Sequence, residues 1–192
     1  FFTREAYDRF RLSKVDYDLL KEQEDKAKEE KDKAEQAAAK EAGADVPYVN
    51  ERRIKKMAIK GEWLKEWEVF PEFVETDKLI NVPIAKHHSL SRLTLGMKNL
   101  MGLLAAHKRG AIHRESRGVV DILQLLKPDL AIIDGVVGGE GHELWSKPVR
   151  MDLIIAGKDV VAADATASRV MGFEPMEIAH IRRAFEKGLG NV

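Results

Sequence analysis

Asp129-Leu130-Ala131-Ile132-Ile133-Asp134 decides how this 192-residue chain is read. An unbroken apolar run between two acids is the pattern of a strand covered on both faces. A second run, Met151 to Ala156, reads as another buried strand, and helix signals surround the pair. Upstream, Ser116 can cap a helix to Leu126 through Val119, Val120, Leu123 and Leu126. Downstream, Asp159 can cap a helix to Met171 that Gly172 closes, and Pro175 starts a last helix that stops at Gly188. Further back, Lys78 to Pro83 reads as a short strand ended by proline, while Leu93 to Ala106 has apolar side chains at helical spacing. Gly135, Gly138, Gly139 and Gly141 read as a loop after the deciding strand. Ile54, Met57 and Ile59 suit a strand, with Trp63, Trp67, Phe70 and Phe73 packing the edge of the core. Strands alternating with helices predict an α/β class, a layered sheet with flanking helices.

The N-terminal part has a different composition. Lys, Glu, Asp, Gln and Ala fill Asp18 to Ala42, with neither Gly nor Pro before Gly43. These are strong helix formers. Glu22/Lys26, Glu24/Lys28 and Glu29/Lys33 are acid-before-base pairs at four-residue spacing, each worth ~0.2–0.5 kcal/mol. Few apolar side chains lie inside, so the expectation is a long charged helical arm, solvated or used for assembly. The organisation expected is thus an arm or insertion over 1–50 and an α/β domain over 51–192, the domain itself a fragment of something larger because no initiator Met opens the chain.

Charge excludes some functions. Lys plus Arg and Asp plus Glu are equal at 32 each, so no global field recruits nucleic acid. The glutamates at 62, 66, 68, 72 and 75 would repel phosphate from the basic and aromatic stretch around them. No apolar run approaches a membrane span, so no membrane partner is expected. The chain has no Cys, hence no disulfide, no thiolate zinc site, no cysteine-ligated iron–sulfur cluster and no Cys nucleophile. That usage suits a reducing compartment, and the expected location is the cytoplasm.

Two segments place polar side chains directly after buried strands, where ligands gather in open α/β sheets. The first carries Lys86, His87 and His88, then Thr94, Lys98 and Asn99. Its cations, imidazoles and hydroxyls near a helix start can hold a carboxylate or phosphate. His87 and His88 cannot both face one site from a strand, because side chains alternate. The second segment carries Asp134 and Glu140, carboxylates that can hold a divalent cation or act as a base. Asp164, an acid among alanines and valines, needs a buried partner or a functional reason.

The residues Asn81-Val82-Pro83, Lys86-x-His88, Thr94-x-x-x-Lys98-Asn99-x-x-Gly102, His113, Asp134-Gly135, Glu140-Gly141, Gly157-x-Asp159-x-Val161-x-x-Asp164-Ala165 and Met171-Gly172 resemble the domain-of-unknown-function family numbered 362. The resemblance covers roughly Leu79 to Gly190. It implies an α/β domain of largely unassigned role, some of whose relatives carry a ferredoxin-like iron–sulfur module that this Cys-free chain lacks. It also implies that Lys86, His88, Thr94, Lys98, Asn99, His113, Asp134, Glu140, Asp159 and Asp164 share a pocket. This chain departs from the pattern at His142-Glu143-Leu144, where relatives tend to have Asn-Gly-Pro, and at Val160 in place of proline.

The function expected is binding of, or catalysis on, a small anionic molecule, with a divalent metal as cofactor in one version. Lys86 and Lys98 would neutralise the anion. His88 or His113 would be the base or ligand. Thr94, Asn99 and Asp164 would bind, and Asp134 with Glu140 would hold the cation. The alternative is a non-catalytic module, a redox partner or homo-oligomer assembled through the arm. A third reading makes Lys98, Asn99 and Asp164 members of a buried structural network.

Overall fold

A computed structural model describes residues 22, 26, 29–30, 33–34, 36–44, 54–104, 109–113, 115–143 and 145–192, with only the backbone at 109 and 113. The chain divides into two compact units, Phe1–Val49 and Asn50–Val192. In the first, residues 36–41 are helical and exposed apart from half-buried Ala39. Lys26 pairs with Glu22 at 2.7 Å and Lys33 with Glu29 at 2.6 Å. The Glu24/Lys28 pair lies outside the described residues. Gly43, at φ +85°, ends the helix, with the Ala44 amide donating to Ala39 O and the Gly43 amide to Lys40 O. Glycine alone takes that left-handed turn at no steric cost.

The second unit is a mixed α/β fold. An antiparallel pair, β1 (Lys55–Ala58) and β2 (Glu66–Val69), precedes the main sheet. The main sheet contains β3 (Ile80–Asn81), β4 (Ile84–His88), β5 (Arg92–Thr94), β6 (Leu130–Glu140) and β7 (Lys147–Gly157). β3 and β4 both run parallel to β6, β5 pairs antiparallel with β4, and β7 pairs antiparallel with β6 along most of its length. The helices are α1 (Gly96–Asn99), α2 (Arg109–His113), α3 (Ser116–Leu125), α4 (Val160–Val170) and α5 (Ala179–Glu186).

One apolar core lies between the sheet and these helices. Ala85, Ala131 and Ile133 belong to one buried cluster with Val119, Val120, Ile122 and Leu123 of α3, Val160, Val161 and Ala165 of α4 and Ile181 and Ala184 of α5. Trp63, Trp67 and Phe73 pack against its edge. The other face of the sheet differs from the expectation of a strand covered on both sides. Ile84, Asp134 and Ile154 are direct neighbours across three strands, and Ile80, Ile84 and Ile154 stay 57%, 53% and 62% exposed. Alternation along the deciding strand is therefore real, with Ala131 and Ile133 inward and Ile132 and Asp134 outward.

Three other expectations change. Leu93 to Ala106 is not one helix: Thr94 ends a strand, α1 is four residues long, and a 3₁₀ turn follows at Leu100–Leu103. Its apolar residues are buried as expected, but Leu93 and Leu95 reach the core from extended backbone. The glycines after Asp134 do not form a loop; Gly135, Gly138 and Gly139 lie in β6, and only Gly141, at φ +95°, makes the turn. A Cβ on Gly138 would stand 2.5 Å from Met151 Cε and 2.9 Å from Ala85 O, so bare backbone is a packing requirement here. Finally, Glu115 rather than Ser116 caps α3, accepting from the Arg117 amide at 3.0 Å. Asp159 caps α4 as expected, accepting from the Val161 and Ala162 amides at 3.0 Å each.

Candidate functional site

β4 and β5 bring the first polar group together. Lys86 lies directly across from Thr94, and His88 across from Arg92. Lys98 follows four residues after Thr94, on α1, and is only 4% exposed. Its Nζ lies 3.7 Å from the Met101 thioether, a weak acceptor. Burial, with the charge of Lys86 adding to it against the pull of Glu143, draws the Lys98 ammonium down to about 8. The Thr94 hydroxyl is fully buried and has no hydrogen-bond partner among the described residues. His88 is buried, and its Nδ1 accepts from the Leu90 and Ser91 amides at 3.1 and 3.4 Å. The neutral ring therefore carries its proton on Nε2.

Glu143, from the turn after β6, closes the group. It accepts from the Ser89 amide and hydroxyl at 2.9 Å each, and lies 4.0 Å from His88. Burial opposes its charge, but the Ser89 amide, its own amide and the Ser89 hydroxyl outweigh that and hold the carboxyl at about 2. Glu143 thus supplies a fixed anion to the group.

His180, not among the residues expected at the site, belongs to the same electrostatic neighbourhood. It is 1% exposed on α5, and its Nε2 has no partner among the described residues. Burial first, then the charges of Lys98 and His88, keep it neutral down to about 3. Its signal in the sequence is a single imidazole in the apolar run Ile178-Ala179-His180-Ile181.

Asp164 and Asn99 serve a different purpose. The Asp164 carboxyl group is wholly buried and accepts from the Gly96 amide at 2.7 Å and the Met97 amide at 2.9 Å. It caps α1 from a distance of 68 residues along the chain. Asn81 donates to Gly96 O at 2.7 Å, and Asn99 donates to Asn81 Oδ1 at 2.8 Å. This is the buried network of the third reading for Asp164 and Asn99, and it holds the backbone that carries Lys98. Asp121 does the same elsewhere: it is fully buried and accepts from the Glu62, Trp63 and Leu64 amides at 2.7 to 2.8 Å. An acid within Val119-Val120-Asp121-Ile122-Leu123 carries the same signal as Asp164.

Asp134 and Glu140 are kept apart. They lie six residues apart on β6, about 15–20 Å at strand rise. Asp134 Oδ1 accepts from the Val136 amide at 2.9 Å beside a bulge, and exposed Glu140 faces Lys147 across the hairpin. They cannot chelate one ion, and the described residues contain no group of three or more His, Asp or Glu that could. His113 ends α2, and its side chain lies outside the described residues. Among the described residues no helix is long and apolar enough to cross a membrane.

The profile of the family described as Domain of unknown function (DUF362) matches residues 20–169, well over half the chain. That match begins further upstream than the motifs alone suggest and takes in the charged segment. Among curated proteins, the chain is 27% identical over 143 residues to a thylakoid-associated protein of Synechocystis sp. (strain ATCC 27184 / PCC 6803 / Kazusa), covering 70% of this chain and 44% of that protein. The chain thus spans less than half the length of that relative. No solved structure is significantly similar to it.

Proposed function

This chain belongs to the DUF362 family, and on that premise we propose that its α/β unit binds a small anionic molecule at Lys86, Thr94 and Lys98, with His88 as donor or base. The observation that carries the reading is Lys86 directly across the strand pair from a buried Thr94 hydroxyl that no described residue bonds, with buried Lys98 in electrostatic reach of Lys86. Lys98 is buried at a cost that Lys86 increases, which an arriving anion would offset. Glu143 supplies one fixed negative charge to this neighbourhood, and a ligand with one or two anionic oxygens would complete it. Asp164, Asn81 and Asn99 position Lys98 without touching ligand. A divalent ion is not part of the proposal, because Asp134 and Glu140 are too far apart to share one. The reading fits a cysteine-free domain working in a reducing compartment.

Thermal shift of tag-free protein with inorganic phosphate, sulfate and small carboxylates tests it. An anion at 100 times its Kd stabilises by about 2.7 kcal/mol, a shift of roughly 5–10 °C for a chain of this size. Lys98→Ala and His88→Ala should abolish the shift, as should Lys98→Met, which keeps the buried stem. If all three variants respond to every anion as the parent does, the proposal is wrong.

A further inference from the structure

A second site adjoins the lysine group but uses other side chains. A cleft of about 470 Å³, counting its open mouth, separates the β6–β7 hairpin from the C-terminal end of α4. Val149, Met151, Val170 and Met171 wall it, and Gly138 and Gly139 lie bare beneath. The missing Cβ of Gly138 lets Met151 pack over it, while a Cβ on Gly139 would meet Ser146 and Lys86 instead. Its polar groups are His87 and, at the rim, exposed Glu140.

His87 is held in one orientation. Its Nδ1 accepts from the Gly141 amide at 2.9 Å, so the neutral ring keeps its proton on Nε2. Phe173 packs against the ring edge-on with centroids 5.3 Å apart, and the Arg92 guanidinium sits 5.6 Å from the Phe173 centroid on the ring's other contact. The alternation of β4 sends neighbouring His88 into the buried group instead. A single fixed donor in a mostly apolar wall is the usual construction of a small-molecule site. Two thioethers favour an aromatic body, through sulfur–ring contacts. The Glu140 carboxylate at the rim disfavours an anion.

We propose that this cleft binds a small neutral molecule with an aromatic or similarly flat apolar body, whose carbonyl oxygen accepts from His87 Nε2. The site is independent of the anion reading, since it uses none of the same side chains. The test is methyl NMR of the full chain with ¹³C-methyl methionine, titrated with phenylacetamide and, in parallel, with phenylacetate. The Met151 and Met171 methyls should move saturably with the amide, while Met57, Met97, Met101 and Met176 stay still. Phenylacetate should bind several-fold more weakly. His87→Phe keeps the packing on Phe173 but removes the donor, and should weaken the amide about tenfold, the loss expected for one hydrogen bond. Val170→Trp, at a site 47% exposed and therefore tolerant, should fill the cleft and stop binding. Lys98→Ala should leave the titration unchanged. Static Met151 and Met171 methyls, tighter binding of phenylacetate, or unchanged binding in Val170→Trp would each overturn the proposal.

Discussion

Replacing Asp164 by Asn should cost most in mild acid and least above neutrality. Burial, against the pull of the Met97 and Gly96 amides and with the charge of Asp159 adding to it, pushes the Asp164 carboxyl from its ordinary 3.8 up to about 7. Between those values the unfolded chain has released this proton and the native chain keeps it. Native stability from this group therefore falls as pH rises through the window. Each pH unit is worth ~1.4 kcal/mol, so the full span from 3.8 to about 7 amounts to roughly 4 kcal/mol at most. His180 acts in the opposite sense below pH 6.5, so the wild-type curve alone does not isolate Asp164; the difference between wild type and variant does. Near pH 4 the Asn amide turns a donor toward one of two buried N–H groups, costing ~1–3 kcal/mol. By pH 8 the variant escapes the buried charge, and that deficit should shrink to nothing or reverse. Urea unfolding of both proteins at half-unit steps from pH 4 to 8 measures this directly. A difference that stays constant across the window would refute the assignment of a buried, proton-holding carboxyl.

Asp121→Ala strips the acceptor from three backbone amides and should cost ~3–5 kcal/mol in the same assay, more than any exposed carboxylate replaced alongside it. Neutral His180 supports the fold above pH 6.5, and that support drains away as pH falls toward about 3. His180→Leu should therefore unfold at lower pH than the parent in an acid titration followed by circular dichroism. Gly138→Ala forces a methyl against Met151 Cε and Ala85 O and should destabilise by ~1–3 kcal/mol in thermal melts, whereas Gly102→Ala, with open space around it, should not.

The parts of this molecule that could be read locally are those whose cause is local. Asp159 and Gly172 mark the ends of α4 because a cap and a left-handed turn are properties of a few adjacent residues. The runs around Ile133 and Ile155 announce strands by composition. Leu93 to Leu104 misleads because strand, short helix and 3₁₀ turn in succession bury side chains at spacings that one helix would also give. The glycines of β6 resemble a loop until Met151 is placed across from them, and that contact is tertiary. Asp134 and Glu140 look like a cation pair only while the length of the strand between them is unknown. Asp164 is apparent as an oddity in the sequence, but its partners, Gly96 and Met97, come from another element and appear only in the fold.

The pairing of β6 also has a kinetic side. Glu140 meets Lys147 and Gly135 meets Leu153 across a short loop, whereas Ile84 pairs with Asp134, fifty positions further along the chain. A hairpin closes in about 1–10 μs, while parallel pairing waits on closure of a long loop and the entropy it removes. The β6–β7 ribbon should therefore be the earliest ordered piece, with the β3–β4 segment annealing to it later. During that interval the ribbon displays Ile132 and Ile154 on one side and Ile133 and Ile155 on the other, with its β4-binding edge open. Refolding should consequently lose yield steeply as chain concentration rises, through capture of one ribbon edge by another before its own β4 arrives.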